Sequence, residues 1–138
     1  MNYSATSIAE EIRKAKRIYI VGNGGSYANA LHMQNDLESV GVKAHTLNPA
    51  SLTRIGNDKD YKYIFADWLS VHGEPGDLLI ALSGSGTSKN IVGALIAAEA
   101  LGMKAVLVTD YLMNRDMQQS EEDQIVLAHE LMRLLRDR

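Results

Sequence analysis

At 138 residues the chain can hold one domain of ordinary size, and its 46% hydrophobic content allows a buried core and argues against disorder. A formal net charge of −3 leaves no basic footprint, so nucleic acid is not the expected partner, although backbone amides can still hold a small anion. With no cysteine, disulfides and thiolate zinc sites are excluded, and no apolar run reaches the length of a membrane span.

Residues 1–17, "MNYSATSIAEEIRKAKR", mix both charges and lack an apolar signal core, so the expectation is a cytoplasmic protein without membrane contact. Within them, "ATSIAEEIRKAK" is at most a short amphipathic helix. Four short apolar runs that stop at turn residues predict buried parallel strands: "RIYIVG" (17–22), "VKAHTL" (42–47), "DLLIALS" (77–83) and "KAVLVT" (104–109). Helical patterns lie between them. "SYANALHMQNDLESVG" follows the first strand and stops at Gly41, and "SKNIVGALIAAEALG" follows the third, with Ser88 as N-cap and Gly102 as stop. "YKYIFADWLSVHG" (61–73) predicts a further helix with Ile64, Trp68 and Leu69 on one face. The last pattern runs from Ser120, with acidic residues at its start and basic ones at its end. The stretch 110–119 fits neither a loop nor a helix clearly. Strands alternating with helices predict an α/β fold, a doubly wound and mostly parallel sheet of four or five strands with helices on both faces.

Ligands of open α/β sheets bind beyond the carboxyl ends of the strands. Two turns of the required kind sit there. In "GNGGS" (22–26), Asn23, Gly24, Gly25 and Ser26 lead from the first strand into a helix, so glycine-permitted backbone N–H groups and a helix N-terminus converge. In "SGSGTS" (83–88), the hydroxyls of Ser83, Ser85, Thr87 and Ser88 join the amides of Gly84 and Gly86. Neither the P-loop nor the dinucleotide spacing fits. Two such turns at equivalent sheet positions point to phosphate recognition, with the serine-rich turn as the seat of the phosphate.

His32 and Asp36 follow the first turn at a spacing of four and share a helix face. On the final helix His129 lies eight residues after Glu121 and seven after Glu122, and an ideal helix aligns it better with Glu122. Gln124 offers an amide to the same region. Two histidines and two carboxylates can hold a divalent metal such as zinc, or supply a general acid and a general base. Against this, a histidine among Leu127, Leu131 and Leu134 is commonly a satisfied core residue, and His32 with Asp36 can be a surface pair. His45 and His72 have no partner pattern and are expected to be structural.

"VGNGGSYANALH", the "GND" of residues 56–58 with "YIFADWL", and "LSGSGTSKNI" together resemble the sugar isomerase (SIS) domain, and within it the phosphoheptose (sedoheptulose-7-phosphate) isomerases. The resemblance covers roughly residues 17–110 and 120–135, and it implies a single domain over 1–138 with a shortened N-terminal helix. It implies Asp36 as catalytic base, in place of the family's glutamate, and His129 as its partner in proton transfer. It implies a zinc site at His32, Asp36, Glu121 and His129, with Glu121 standing where the family has glutamine. It places the phosphate on Ser83, Ser85 and Ser88, polar contacts at Asn23 and Ser26, and the sugar hydroxyls at Asp58. The family's glycine-rich loop and fifth strand before the last helix have no counterpart.

The activity implied is an aldose–ketose isomerisation of sedoheptulose 7-phosphate to D-glycero-D-manno-heptose 7-phosphate through an enediol. It would feed heptose synthesis for surface polysaccharide, in a homo-oligomer with the sugar phosphate as small-molecule partner. The alternative is a non-catalytic SIS module that binds a sugar phosphate or a partner protein. His32, the carboxylate at 36 and His129 favour the enzyme.

Overall fold

A computed structural model describes residues 4–109 and 116–136. In chain order its elements are α1 (Ala5–Lys14), β1 (Ile18–Gly22), α2 (Gly25–Ser39), β2 (Ala44–Thr46), α3 (Pro49–Asp58), a 3-10 turn (Tyr61–Tyr63), α4 (Ile64–His72), β3 (Leu78–Leu82), α5 (Lys89–Ala100), β4 (Lys104–Val108) and α6 (Met117–Arg136). The described residues form one sheet of four parallel strands in the order β2-β1-β3-β4. The α/β expectation therefore holds.

Strand alternation sorts the core into two layers, because successive side chains point to opposite faces. Ile18, Ile20, Leu78, Ile80 and Leu82 pack with Ile8 and Ile12 of α1, Met33 and Leu37 of α2, and Leu127, Leu131 and Leu135 of α6. Tyr19, Val21, Leu79 and Ala81 face the other way, onto Ile55 of α3, Phe65 and Trp68 of α4, and Ile91, Ala94 and Ala98 of α5. Each such buried aliphatic side chain contributes about 1.5–3 kcal/mol through removal from water. β1 and β3 are buried at every position, as expected for central parallel strands.

The register positions the site. Gly22 at the end of β1 pairs with Leu82 at the end of β3, so the glycine turn and the serine turn leave the sheet side by side. The chain runs from β1 outward to β2 on one side and places β3 on the other. This is the switch point where open α/β sheets bind ligands.

Several elements differ from the sequence expectation. α3 was not anticipated over 49–58, although Asn48 caps it by accepting the Ser51 N–H and Pro49 occupies its first turn. β2 is shorter than 42–47, and β4 is not buried along its length: Lys104 and Ala105 are exposed, because it has only β3 as a neighbour. α6 begins at Met117, ahead of Ser120, where Asp116 Oδ1 accepts the Gln119 N–H. Residues 110–115 of the unplaced stretch lie outside the described residues. The helix over 61–73 appears as the 3-10 turn followed by α4, with Ile64, Trp68 and Leu69 buried. Gly41 and Gly102 adopt positive φ (85° and 76°) just past α2 and α5, as their stop roles require. No helix among the described residues is long and apolar enough to cross a membrane.

Candidate functional site

The first turn is shaped by its glycines. Gly24 has φ 56° and ψ −122°, a conformation open to glycine, and caps α2 without a side-chain hydrogen bond. A β-carbon at Gly22 would press within 2.7 Å of the Ser26 backbone, so the close approach of helix to strand needs glycine there. At Gly25 a β-carbon would overlap the Glu121 carboxylate, which lies against the first turn of α2 and would have to swing aside.

In the second turn, buried Ser83 accepts the Gly86 N–H at 3.0 Å and Ser85 accepts the Thr87 N–H at 3.2 Å. Gly86 has φ 69°. Ser88 takes the N-cap position of α5 as expected, yet its side chain makes no capping hydrogen bond. Ser85 and Ser88 are exposed. Gly84 backs onto the start of α6, where an added β-carbon would sit 3.3 Å from Met117 Sδ and 3.4 Å from Ser120.

The two turns are tied together. Asn23 and Asn90 exchange two side-chain hydrogen bonds, Asn23 Nδ2 to Asn90 Oδ1 at 2.9 Å and Asn90 Nδ2 to Asn23 Oδ1 at 2.8 Å. A cleft of about 440 Å³ opens beside this pair, lined also by Tyr61, Lys62, Ser88 and Lys89. Asp58 does not line it; it is exposed at the end of α3, with Oδ1 accepting from Asn57.

The ionisable cluster forms between α2 and α6, which pack along each other. His32 Nε2 lies 3.1 Å from His129 Nε2 and 3.1 Å from Asp36 Oδ2, and His129 Nε2 lies 3.9 Å from the same oxygen. The imidazole side chains are 41% and 40% exposed, whereas the Asp36 side chain is 9% exposed. Asp36 Oδ2 is buried without a hydrogen-bond partner. His32, Asp36 and His129 are therefore a candidate metal group of three. At most one proton can lie between the two Nε2 atoms; one on His32 can also be shared with Asp36 Oδ2, and with both nitrogens unprotonated the three lone pairs would suit a cation. Tetrahedral zinc, with bonds of about 2.0–2.1 Å, would set its donors about 3.3 Å apart, close to the two separations of 3.1 Å and shorter than the third of 3.9 Å.

Glu121 is not in this group. It is half-buried at the start of α6 while Glu122 is exposed. Eight residues of helix, about 12 Å, separate it from His129. Gln124 is buried and structural in its bonding: it donates to Ser26 Oγ at 3.0 Å and accepts from Asn29 Nδ2 at 2.8 Å. Asn29 also donates to the Glu121 carbonyl at 2.8 Å. This buried chain sets α6 against α2 and so brings His129 opposite His32. Asn29 and Asn90 were missed at the sequence level. The signal available was a polar residue at a core position, second in α5 for Asn90 and on the inner face of α2 for Asn29. His45 and His72 flank Tyr19 and Trp68, with ring centroids 5.5 Å from Tyr19 and 5.8 Å from Trp68 respectively.

Comparison with known proteins gives a consistent result. The family model described as "SIS domain" matches residues 1–110. A phosphoheptose isomerase of Rhodospirillum rubrum is 37% identical over 114 residues, covering 77% of this chain and 61% of the relative. One of Thermodesulfovibrio yellowstonii is 34% identical over 155 residues, covering 96% of this chain and 77% of the relative. The chain likewise spans 59% of the length of the phosphoheptose isomerases of Glaesserella parasuis and Tolumonas auensis. In fold, it superposes on phosphoheptose isomerase GmhA from Neisseria gonorrhoeae with a TM-score of 0.87 at 24% identity, over 97% of this chain and 83% of that one.

Proposed function

The chain belongs to the SIS domain family, and from that premise we propose that it is a phosphosugar isomerase converting sedoheptulose 7-phosphate to D-glycero-D-manno-heptose 7-phosphate. The observation that carries this is the convergence of His32, Asp36 and His129 between α2 and α6, α2 being the helix that starts from the glycine turn. The curated relatives named above are phosphoheptose isomerases, which supports the choice of sugar.

Ser85 and Ser88, with the N-terminus of α5 behind them, hold the phosphate, and Ser83 shapes the turn through its bond to Gly86. The sugar chain then extends toward the cluster. Asp36 takes the proton from C1 of the ketose and an enediol forms. The same proton or one from solvent is delivered to C2, while His129 moves a proton between the oxygens on C1 and C2. The product has its carbonyl at C1 and its hydroxyl at C2, and no oxidant is needed. His32, Asp36 and His129 would hold a divalent metal, zinc by their donor types, and Glu121 joins them only if its side chain leaves Gly25. Such an ion supplies polarisation of the sugar oxygens as charge develops on them. We further read residues 1–138 as one domain acting in a cytoplasmic homo-oligomer.

The test is turnover of sedoheptulose 7-phosphate in heavy water. The proposal expects an aldose phosphate, carrying deuterium at C2 to the extent that the proton on Asp36 exchanges with solvent before delivery. Phosphosugar binding without turnover would instead indicate a ligand-sensing module.

A further inference from the structure

Two turns distant in sequence must act on one ligand, and the side chains joining them are an asparagine pair. Asn90 is 3% exposed, and Asn23 is partly buried. Their amides exchange both hydrogen bonds, and the Tyr61 hydroxyl adds a long contact of 3.5 Å to Asn23 Oδ1. Reciprocal pairing fixes the orientation of both amides, since turning either one over would set oxygen against oxygen and nitrogen against nitrogen. Each amide keeps one N–H beyond the pair, and both residues line the 440 Å³ cleft with Ser88 and Lys89.

We propose that Asn90 is a positioning residue: it orients Asn23 and locks the glycine turn to the start of α5, so that the two turns bind one phosphorylated ligand as a unit. The proposal rests on the phosphosugar assignment above. Its chemistry is that of a reciprocally bonded amide pair with its Asn90 side buried, in which loss of either member leaves the other without its partner and free to rotate. The phosphate seat then loses its alignment with the first turn even though no serine has changed. Asn23 is the residue that reaches the ligand; Asn90 acts through it.

A double-mutant cycle on inorganic phosphate binding, measured by calorimetry with Asn23→Ala, Asn90→Ala and the double variant, tests the coupling. Each single change is expected to weaken binding about tenfold, and the double variant is expected to bind no more weakly than the poorer single one. Asn90→Asp keeps the side-chain shape but presents oxygen to Asn23 Oδ1, so it is expected to lose as much as alanine. A general loss of stability would lower the melting temperature without coupling the two residues in phosphate affinity. Losses that multiply to about a hundredfold in the double variant, or unchanged affinity in Asn90→Asp, overturn the proposal. If Asn90→Ala does not fold, Asn23→Ala breaks the same two bonds from the less buried side, and unchanged affinity there overturns it equally. Phosphate binding with the predicted coupling but no turnover of any sugar phosphate would refute the isomerase assignment and leave the positioning role standing. No phosphate binding by the wild-type chain would refute both.

Discussion

The Nε2 atoms of His32 and His129 approach to 3.1 Å across the α2–α6 interface, and the buried Asp36 Oδ2 lies 3.1 Å from the first of them. His32, Asp36 and His129 are a group that could hold a metal ion. Zinc added to the purified chain is expected to raise the melting temperature, by the equivalent of about 2.7 kcal/mol at a hundred times its dissociation constant. His129→Ala is expected to abolish that rise and to lower bound metal in elemental analysis. An equal rise in wild type and His129→Ala would place the metal elsewhere.

Gly25 and Glu121 form a tight contact between helix starts, and the required space is that of a missing β-carbon. Gly25 has no positive φ, so alanine is permitted by the backbone, and the nearest atoms to its β-carbon are those of the Glu121 carboxylate, the far end of a flexible side chain. Gly25→Ala is expected to displace that carboxylate at a cost of no more than about 1 kcal/mol in urea unfolding. In a Glu121→Ala background the same change should cost almost nothing. Equal costs in both backgrounds would show that Glu121 does not rest there.

Gln124 bridges Ser26 and Asn29 inside the α2–α6 interface. Gln124→Ala leaves the Ser26 hydroxyl without that donor and the Asn29 amide with only the Glu121 carbonyl. The expected cost is about 2–3 kcal/mol of stability by chemical denaturation. Because the same bonds set the register of His129 against His32, zinc affinity should fall with it.

Burial raises the pKa of the Tyr19 phenol above its usual 10.0, with the Asp77 carboxylate adding to the effect. The folded state thus binds this proton more tightly than the unfolded chain does. Its contribution to stability is fully present below pH 10 and is lost as pH rises through the raised folded value. Unfolding free energy is expected to fall on the alkaline side of that point. In Tyr19→Phe the fall should be shallower, with a lower plateau because the hydrogen bond to the His72 carbonyl is gone.

The central strands were legible because β1 and β3 are buried on both faces, which forces unbroken apolar runs. β4 was read as equally buried because "KAVLVT" carries the same pattern; its edge position, and hence its exposed first residues, depends on sheet order rather than on local composition. α3 was missed although Asn48 and Pro49 spell out a helix start, since its apolar face is reduced to buried Ile55 and half-buried Leu52. The choice between Glu121 and Glu122 shows the limit of counting residues on an ideal helix. The inward face of α6 is set by Ser120, Gln124, Leu127, Ala128 and Leu131, and it leaves Glu122 in solvent. His32, Asp36 and His129 were legible by type and spacing, whereas their partnership was not. It arises from the parallel packing of α2 and α6, fixed by Asn29 and Gln124, which no spacing rule selects.

The central claim is that Asp36 moves a proton on a phosphorylated ketose. It is tested most directly by comparing sedoheptulose 7-phosphate turnover in wild type and Asp36→Asn, with the variant's fold checked by its unfolding curve. The wild-type chain should form the aldose phosphate, and a folded Asp36→Asn should be slower by about 10²–10⁴-fold, the range lost with a general base. Full turnover by Asp36→Asn, or none by the wild-type chain, would contradict it.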